Sequence, residues 1–425
     1  MSAGGRAGAG VRRRVALARA RLDRSRLGER AVGVGRRVAR LGDRVPAPWP
    51  FVLALFLGTK LLLTFVAVLV LRVFDDVPGA PPADERTMRL QQQEISPHRW
   101  ISFWFAWDSF LYDHLSRLPL TEPWRDFGFP LLYPFLARPV ALVLGGNTAM
   151  ALLLISNVAF LFQLYYAHRL GGRLLGDDAS ARRFTRYLVL LPTAFLFQAA
   201  LTESLFLCLA LAAFYHAERR HWLAVGVIGY FLALSRSVGM FVVVPLALVL
   251  LRQQRYRLGL RALRGYVRVG WPLLLVPAGW LTFMAFCWWQ SGDWFAYKHA
   301  QEKGWAITVQ NPLAVLIEGL TSAEPRDSIR VWFAVAVLVV VVAGVRHIGL
   351  PYLVYALVTI MVPLSMGPPV YKSLLRYLLA VFPVCLVLAR WARQATLDTY
   401  LTAALALVQG ALFVAWLAYW THFVI

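Results

Sequence analysis

Long apolar runs separated by short polar breaks dominate the chain. They begin with Phe51–Leu71 and recur at about 148–167, 184–201, 204–217, 222–235, 238–251, 271–290, 331–345, 349–366, 374–389 and 399–421. Runs near twenty residues have the length a helix needs to cross the hydrocarbon of a bilayer. The pattern therefore predicts an all-α polytopic membrane protein with about 11 transmembrane helices. The runs at 204–217 and 222–235 are shorter than an ordinary crossing and predict tilted spans or a locally thinned or wet membrane. Phe129–Leu144 is also apolar, but it carries Pro130, Pro134 and Pro139. Each proline removes a backbone donor and discourages a straight helix. A full crossing there would also move Arg252–Arg268, with six Arg and no acid, to the outside. The segment is read as re-entrant or interfacial.

Composition agrees with the pattern. Of 425 residues, 59% are hydrophobic and only 16% charged, against nearly a quarter charged in soluble chains. The net charge of +22 could signal a nucleic-acid partner, but the basic residues sit between apolar runs and form no single face or domain, so none is expected. They set topology instead. Residues 1–50 hold thirteen Arg and three acids and form a basic cytosolic arm, too arginine-dense for a cleaved signal peptide. With that arm inside, the segments assigned to the cytosol hold 29 Lys+Arg and 7 acids, and those outside hold 14 and 15. This is the asymmetry the positive-inside rule requires. The membrane-embedded domain is 51–425. Its first extracytoplasmic segment, 72–147, is far longer than a usual helix connection and includes the re-entrant stretch. Cys208, Cys287 and Cys385 lie within apolar runs, without pairing or ligand spacing, and are read as packing residues.

The polar residues that a membrane protein would not keep without cause fall on the predicted outer side. Trp107-Asp108-Ser109-Phe110-Leu111-Tyr112-Asp113 sets a carboxylate among aromatic residues, with a second five positions later. Apolar surroundings favour a carboxylate's protonated form and bring its base strength toward working pH, which makes Asp108 the general-base candidate. The alternative is a helix cap. Thr202-Glu203-Ser204 places an acid between two apolar runs, where it either lines a cavity or caps the following helix. Ser235-Arg236-Ser237-Val238-Gly239 puts a guanidinium where topology asks for none. Its planar donor fork suits phosphate, although it could also snorkel to headgroups. Asp293, Lys298, His299 and Gln301 follow the seventh run, and Tyr371-Lys372-Ser373 with Arg376-Tyr377 opens the tenth. Either cluster alone could be an interfacial belt, but such a belt would be equally rich at both faces. Lys60, inside the first run, either pairs with an acid or reaches cytosolic headgroups. No Cys or His pair has metal-ligand spacing and no phosphate-binding glycine loop appears. Nucleotide hydrolysis is not expected, nor is a soluble sugar-nucleotide donor.

In this order, Trp107-Asp108-Ser109 with Tyr112, Phe129-Pro130-Leu131-Leu132-Tyr133-Pro134-Phe135, Thr202-Glu203-Ser204-Leu205-Phe206, Ser235-Arg236 with Gly239, Gly292-Asp293 through His299-Ala300-Gln301, and Ser373 with Arg376-Tyr377 resemble the second mannosyltransferase family of GPI-anchor synthesis and its bacterial relatives. The resemblance spans about Phe51 to Pro383 and departs from the family at Ser237, where a proline is expected. It implies a GT-C type bundle with a long first outer loop, and a membrane glycosyltransferase using a polyprenyl-phosphate sugar donor, with mannose as the sugar. It implies Asp108 as the group that deprotonates an acceptor hydroxyl at the extracytoplasmic face of the cell membrane. Arg236, Arg376, Lys298 and His299 are the candidates to hold phosphate, with Asp113 and Glu203 orienting sugar hydroxyls. Trp107, Tyr112, Asp293, Gln301 and Tyr377 complete the expected substrate-binding set. A divalent cation could be collected by Asp108, Asp113 and Glu203 if the three meet. The acceptor could be lipid, glycan or protein. The rival reading is a transporter or flippase of a polyprenyl-linked or anionic substrate, which would perform no chemistry.

Overall fold

The apolar runs fold as helices, and the computed structural model describes residues 48–75, 83–117, 120, 126–257 and 259–418. No strand occurs among them. The basic arm therefore lies outside the described residues except for 48–50, as do parts of the 72–147 segment. Helix α1 (Trp49–Asp75) sits at the periphery with Leu57, Leu61 and Phe65 more than half exposed, as a lipid-facing helix should. The described parts of the long segment that follows are largely helical, with α2 (Ala83–Ile95), α3 (Asp108–Ser116) and α4 (Leu132–Val143). Then come α5 (Thr148–Leu175), α6 (Asp178–Val189), α7 (Glu203–Glu218), α8 (Trp222–Ser235), α9 (Val243–Gln253), α10 (Leu260–Gly270), α11 (Leu275–Ser291) and α12 (Ala296–Trp305). The series closes with α13 (Pro312–Leu320), α14 (Pro325–Ala343), α15 (Leu350–Leu364), α16 (Leu374–Leu378), α17 (Pro383–Trp391) and α18 (Ala395–Leu417). Helix α5 is the central strut and packs on α4, α6 and α7, while α8 fills the space between α7 and α11. Close approach of α8 and α11 depends on small residues, because a Cβ on Gly279 would run into the carbonyl oxygen of Tyr230.

By length and composition, four helices of the described chain can cross a bilayer: Trp49–Val73, Thr148–Leu175, Ala262–Ser291 and Ala395–Leu417. A fifth is obtained by joining Pro368–Leu378 to Pro383–Trp391 across a 49° bend. The chain is a multi-pass membrane protein. Several of the eleven runs are not straight spans, and their interruptions have local causes. The run at 184–201 is α6 followed by irregular backbone and a short 3-10 turn, Ala194–Gln198, because Pro192 cannot continue the helix. Such backbone is tolerated at membrane depth only where side chains satisfy it. Here Gln409 Nε2 donates to the carbonyls of Val189 (2.7 Å) and Leu191 (3.0 Å), Ser156 Oγ to Leu201 (2.9 Å), and Asn157 Nδ2 to Gln198 (3.2 Å). The run at 374–389 breaks before Pro383, and at the break the carbonyl of Ala380 accepts from the Phe382 amide (2.9 Å) and from the Tyr355 hydroxyl (3.0 Å). The run at 238–251 begins as a 3-10 turn, Ser237–Val242.

Phe129–Leu144 departs from expectation in its local form. Most of it is the regular helix α4, with Pro134 in its first turn and Pro139 inside it. Tyr133 anchors this helix by donating to the carbonyl of Leu152 (2.9 Å) and meeting Ser156 Oγ at 2.6 Å. Lys60 adopts neither expected role, since its ammonium lies over the Trp104 ring, 4.1 Å from the centroid.

Two charged latches fix the end of the bundle opposite the candidate site. Glu218, at the end of α7, accepts from Arg252 and from the Tyr352 hydroxyl (2.6 Å), joining α7, α9 and α15. Asp398 accepts from Arg186 and from Tyr187 (2.5 Å), joining α18 to α6. Replacing Gln409 by Leu should leave the carbonyl of Val189 without its side-chain donor and that of Leu191 with the Ala194 amide alone. The expected cost is about 1–3 kcal/mol, read as a lower thermal unfolding midpoint of the detergent-solubilised protein.

Candidate active site

The backbone leading into α3 is pinned before it turns. Phe103 to Ala106 are buried. The carbonyl of Phe103 accepts from Trp416 Nε1 (3.1 Å), that of Trp104 from the Ala200 amide (3.0 Å), and that of Phe105 from Gln92 Nε2 (2.6 Å). The turn is completed at Trp107, whose φ of +48° and ψ of −111° are strained for a residue bearing a Cβ. Strain of this kind costs roughly 1–3 kcal/mol and persists where the surroundings over-determine it. The first turn is closed by Ser109, whose Oγ accepts from the Ala106 amide at 3.2 Å. Asp108 is thus not a cap, and its carboxylate accepts from Arg376 Nη1.

Glu203 opens α7 directly after the irregular segment, and Thr202 makes no side-chain capping bond. The Glu203 side chain is 2% exposed, and Oε1 accepts from Arg236 Nη1 (2.6 Å) and from Arg376 Nε. Arg236 leaves α8 in extended conformation, and the chain turns sharply enough for the Gly239 amide to reach the Arg236 carbonyl at 2.8 Å. A side chain at Gly239 would meet the carbonyl of Leu232, so only glycine fits this turn. The Arg236 guanidinium also lies 4.9 Å from the centroid of the Tyr377 ring. Four charged groups from α3, α7, α8 and α16 therefore form one chain: Asp108 to Arg376, Arg376 to Glu203, Glu203 to Arg236.

Asp108, Arg236, Arg376 and Tyr377 line a cavity of about 460 Å³. Its aromatic wall runs from Tyr112 through Phe129 to Trp305, in edge contacts with centroids 5.3 and 5.2 Å apart. Gln301 lines the cavity and donates to the Gly128 carbonyl at 2.5 Å, tying α12 to the loop before α4. Burial and the neighbouring Asp108 carboxylate hold the Tyr112 phenol well above its usual pKa. Burial pushes Tyr297, also on the wall, up to about 12. Both remain neutral hydroxyl groups at working pH. Lys303 and Lys372 complete the lining.

Not every candidate joins this group. Asp113 points to the opposite face of α3, where it accepts from Arg117 and Thr148, each at 2.5 Å. Asp108, Asp113 and Glu203 consequently do not converge, and no group of three or more His, Cys, Asp or Glu able to hold a metal ion exists among the described residues. Trp107, Asp293, Lys298 and His299 are absent from the cavity lining. His299 meets Asp293 at 2.6 Å, which with the Phe295 amide holds the Asp293 carboxyl below the usual range. Lys298 faces Glu302 at 3.5 Å. Helical spacing explains the exchange of Lys298 for Lys303, because the cavity-facing residues of α12 are Tyr297, Gln301 and Gly304 with Lys303 beside them, a different stripe from 298 and 299. Lys303 carried no motif that would have marked it. Lys372 lies in the Tyr371-Lys372-Ser373 stretch, four residues before the Arg376 that anchors the site.

No family model and no curated protein matches the chain. Among solved structures it is similar to ArnT from Cupriavidus metallidurans, determined in crystal form bound to undecaprenyl phosphate. The identity is 13% and the TM-score 0.45, over 86% of this chain and 75% of ArnT. A likeness this distant leaves the chemistry to be read from the side chains themselves. Those side chains can hold an anion against guanidinium and ammonium groups while a half-buried carboxylate stands beside it. Because Glu203 sits unexposed between two cations, Glu203→Gln should destabilise by about 3–5 kcal/mol, the cost of breaking a buried ion pair. Asp108→Asn, at the wetter end of the chain, should cost less in parallel thermal melts.

Proposed function

We propose that the protein is a membrane glycosyltransferase of GT-C type that moves a sugar, mannose by the resemblance of its motifs, from a polyprenyl-phosphate donor to an acceptor hydroxyl at the extracytoplasmic face. One observation carries the reading: a carboxylate and a pair of arginines from distant parts of the chain share the wall of a cavity whose other cations are Lys303 and Lys372. This pairing suits a reaction in which a phosphate departs while a hydroxyl loses a proton.

In the proposed reaction the donor's prenyl chain stays in the bilayer and its phosphosugar enters the cavity. Arg376 and Arg236 hold the phosphate, with Lys303 and Lys372 in place of the Lys298 and His299 expected earlier. The acceptor oxygen attacks the anomeric carbon from the face opposite the phosphate, and its proton passes to Asp108. The bond from anomeric carbon to phosphate oxygen breaks, and its electron pair leaves with the polyprenyl phosphate. One displacement inverts the anomeric centre. Cations placed where charge develops lower the barrier. Since Arg376 already donates to Asp108, donor phosphate draws the guanidinium away and frees the carboxylate to accept the proton. Glu203 keeps Arg376 and Arg236 in place throughout.

The test uses membranes containing the full chain, supplied with radiolabelled polyprenyl-phosphate-mannose. Wild type should transfer the label to an acceptor, and Asp108→Asn should slow transfer by roughly 10²-fold or more. Wild-type rates in Asp108→Asn would remove Asp108 as the base. Donor crossing the bilayer without any sugar transfer would establish the transporter reading instead. Donors bearing other sugars, assayed alongside, test mannose itself. For sidedness, Lys298→Cys should react with a membrane-impermeant maleimide from outside intact cells and Arg255→Cys only after permeabilisation. The reverse pattern would place the cavity in the cytosol.

A further inference from the structure

Helix α3 separates two cavities. Asp108 and Tyr112, four residues apart, face the first, whereas Phe110, Asp113 and Arg117 fall on the other side and line a second cavity of about 560 Å³. Its remaining walls come from Gln91, Glu94 and Ile95 on α2, from His114, and from residues 145–149. Gly145 and Gly146 have φ of +66° and +89°, and a Cβ on either would meet nothing within 4 Å, so this backbone borders open space. One helix diameter, about 10 Å, separates this cavity from Asp108.

The two cavities differ in charge. Asp113 is fully engaged, with one oxygen on Arg117 and the other on Thr148, so it offers nothing to a cation and cancels the arginine. His114, also in the lining, meets the buried Asp126 carboxylate at 3.0 Å, whereas the Gln91 and Glu94 side chains are exposed. With Arg117 and His114 each paired to an acid, what remains for a ligand is the Gln91 and Asn147 amides, the Glu94 carboxylate and the Phe110 ring, a set that bonds neutral hydroxyl groups and packs against a sugar's apolar face. An anion would meet Glu94, whereas in the first cavity it meets Arg236, Lys303, Lys372 and Arg376.

We propose that the second cavity is a glycan subsite that holds a neutral sugar chain on the outer side of α3. Its role as the acceptor's anchoring site rests on the transferase reading, but sugar binding there does not. A chain seated beside Glu94 and Phe110 would extend past the end of α3 and present a hydroxyl to Asp108.

Saturation-transfer NMR on the detergent-solubilised full chain tests this with mannotriose, maltotriose and inorganic phosphate as separate probes. At least one oligosaccharide should receive saturation, and excess phosphate should not displace it. Losing about one hydrogen bond's worth of affinity, roughly fivefold, is expected for Glu94→Ala. Gln91→Trp, which fills the cavity from an exposed position, should abolish the signal. Asp108→Asn should keep it, and thermal melts should show both cavity variants folded. Absence of saturation in wild type, equal signals in the two cavity variants and wild type, or displacement by phosphate would overturn the proposal. In the transfer assay, Gln91→Trp should raise the acceptor KM with kcat unchanged. If Asp108→Asn transfers normally, the transferase mechanism fails while the NMR result stands independently.

Discussion

A carboxylate buried between two guanidinium groups governs the arrangement of this bundle. Taking Glu203 and Arg376 out of water is costly, and only mutual charge and hydrogen bonding compensate. The compensation works only if α3, α7, α8 and α16 hold their relative positions, so one ion network constrains four helices whose charged residues lie up to 268 positions apart in sequence. The irregular backbone before Thr202 serves the same end. By ending α6 at Val189, ahead of Pro192, and passing through a 3-10 turn, the chain delivers Glu203 to the first turn of α7, inside the bundle and away from lipid.

Helix α7 carries a charged latch at each end, Glu203 at one and Glu218 at the other. Sixteen residues at 1.5 Å each give a length of roughly 24 Å, short of a bilayer's hydrocarbon thickness. A helix of that length with ionised ends would be unstable as an isolated span. Here it is enclosed by α5, α8 and α9, and its ends meet protein partners. The short apolar run that looked deficient in the sequence is therefore suited to an interior position.

The sequence disclosed the apolar helices, the long polar segment and the acids and arginines that meet at the cavity. Asp108, Glu203, Arg236 and Arg376 were legible because charge beside apolar runs is costly and demands a partner. Their pairing was not, since nothing local in the sequence relates Asp108 to Arg376. Breaks within runs were legible only in part: Pro192 and Pro383 mark them, but Pro139 sits inside α4 without ending it. Asp113 was misplaced by proximity. It lies five residues from Asp108, and five residues on a helix turn about 140° from the starting face. Lys303 escaped notice for the converse reason, because its value comes from α12 bordering the same cavity as Pro363 of α15 and Arg376 of α16, not from neighbours in sequence.

Charge balance at the cavity explains why a phosphodiester suits the proposed donor better than a neutral solute. Asp108 and Glu203 offset Arg376 and Arg236, which leaves the ion network neutral and stable when the cavity holds no anion. Lys303 and Lys372 have no acid among the cavity-lining residues beyond Asp108 and supply the surplus positive charge. In the proposed reaction an arriving phosphodiester would neutralise that surplus and compete with Asp108 for Arg376, so anion binding and release of the carboxylate would be the same event. Glu203 cannot follow Arg376 outward because Arg236 also holds it. The buried acid thus limits how far the guanidinium moves, which in the proposed reaction would keep it within reach of both the donor phosphate and the Asp108 carboxylate.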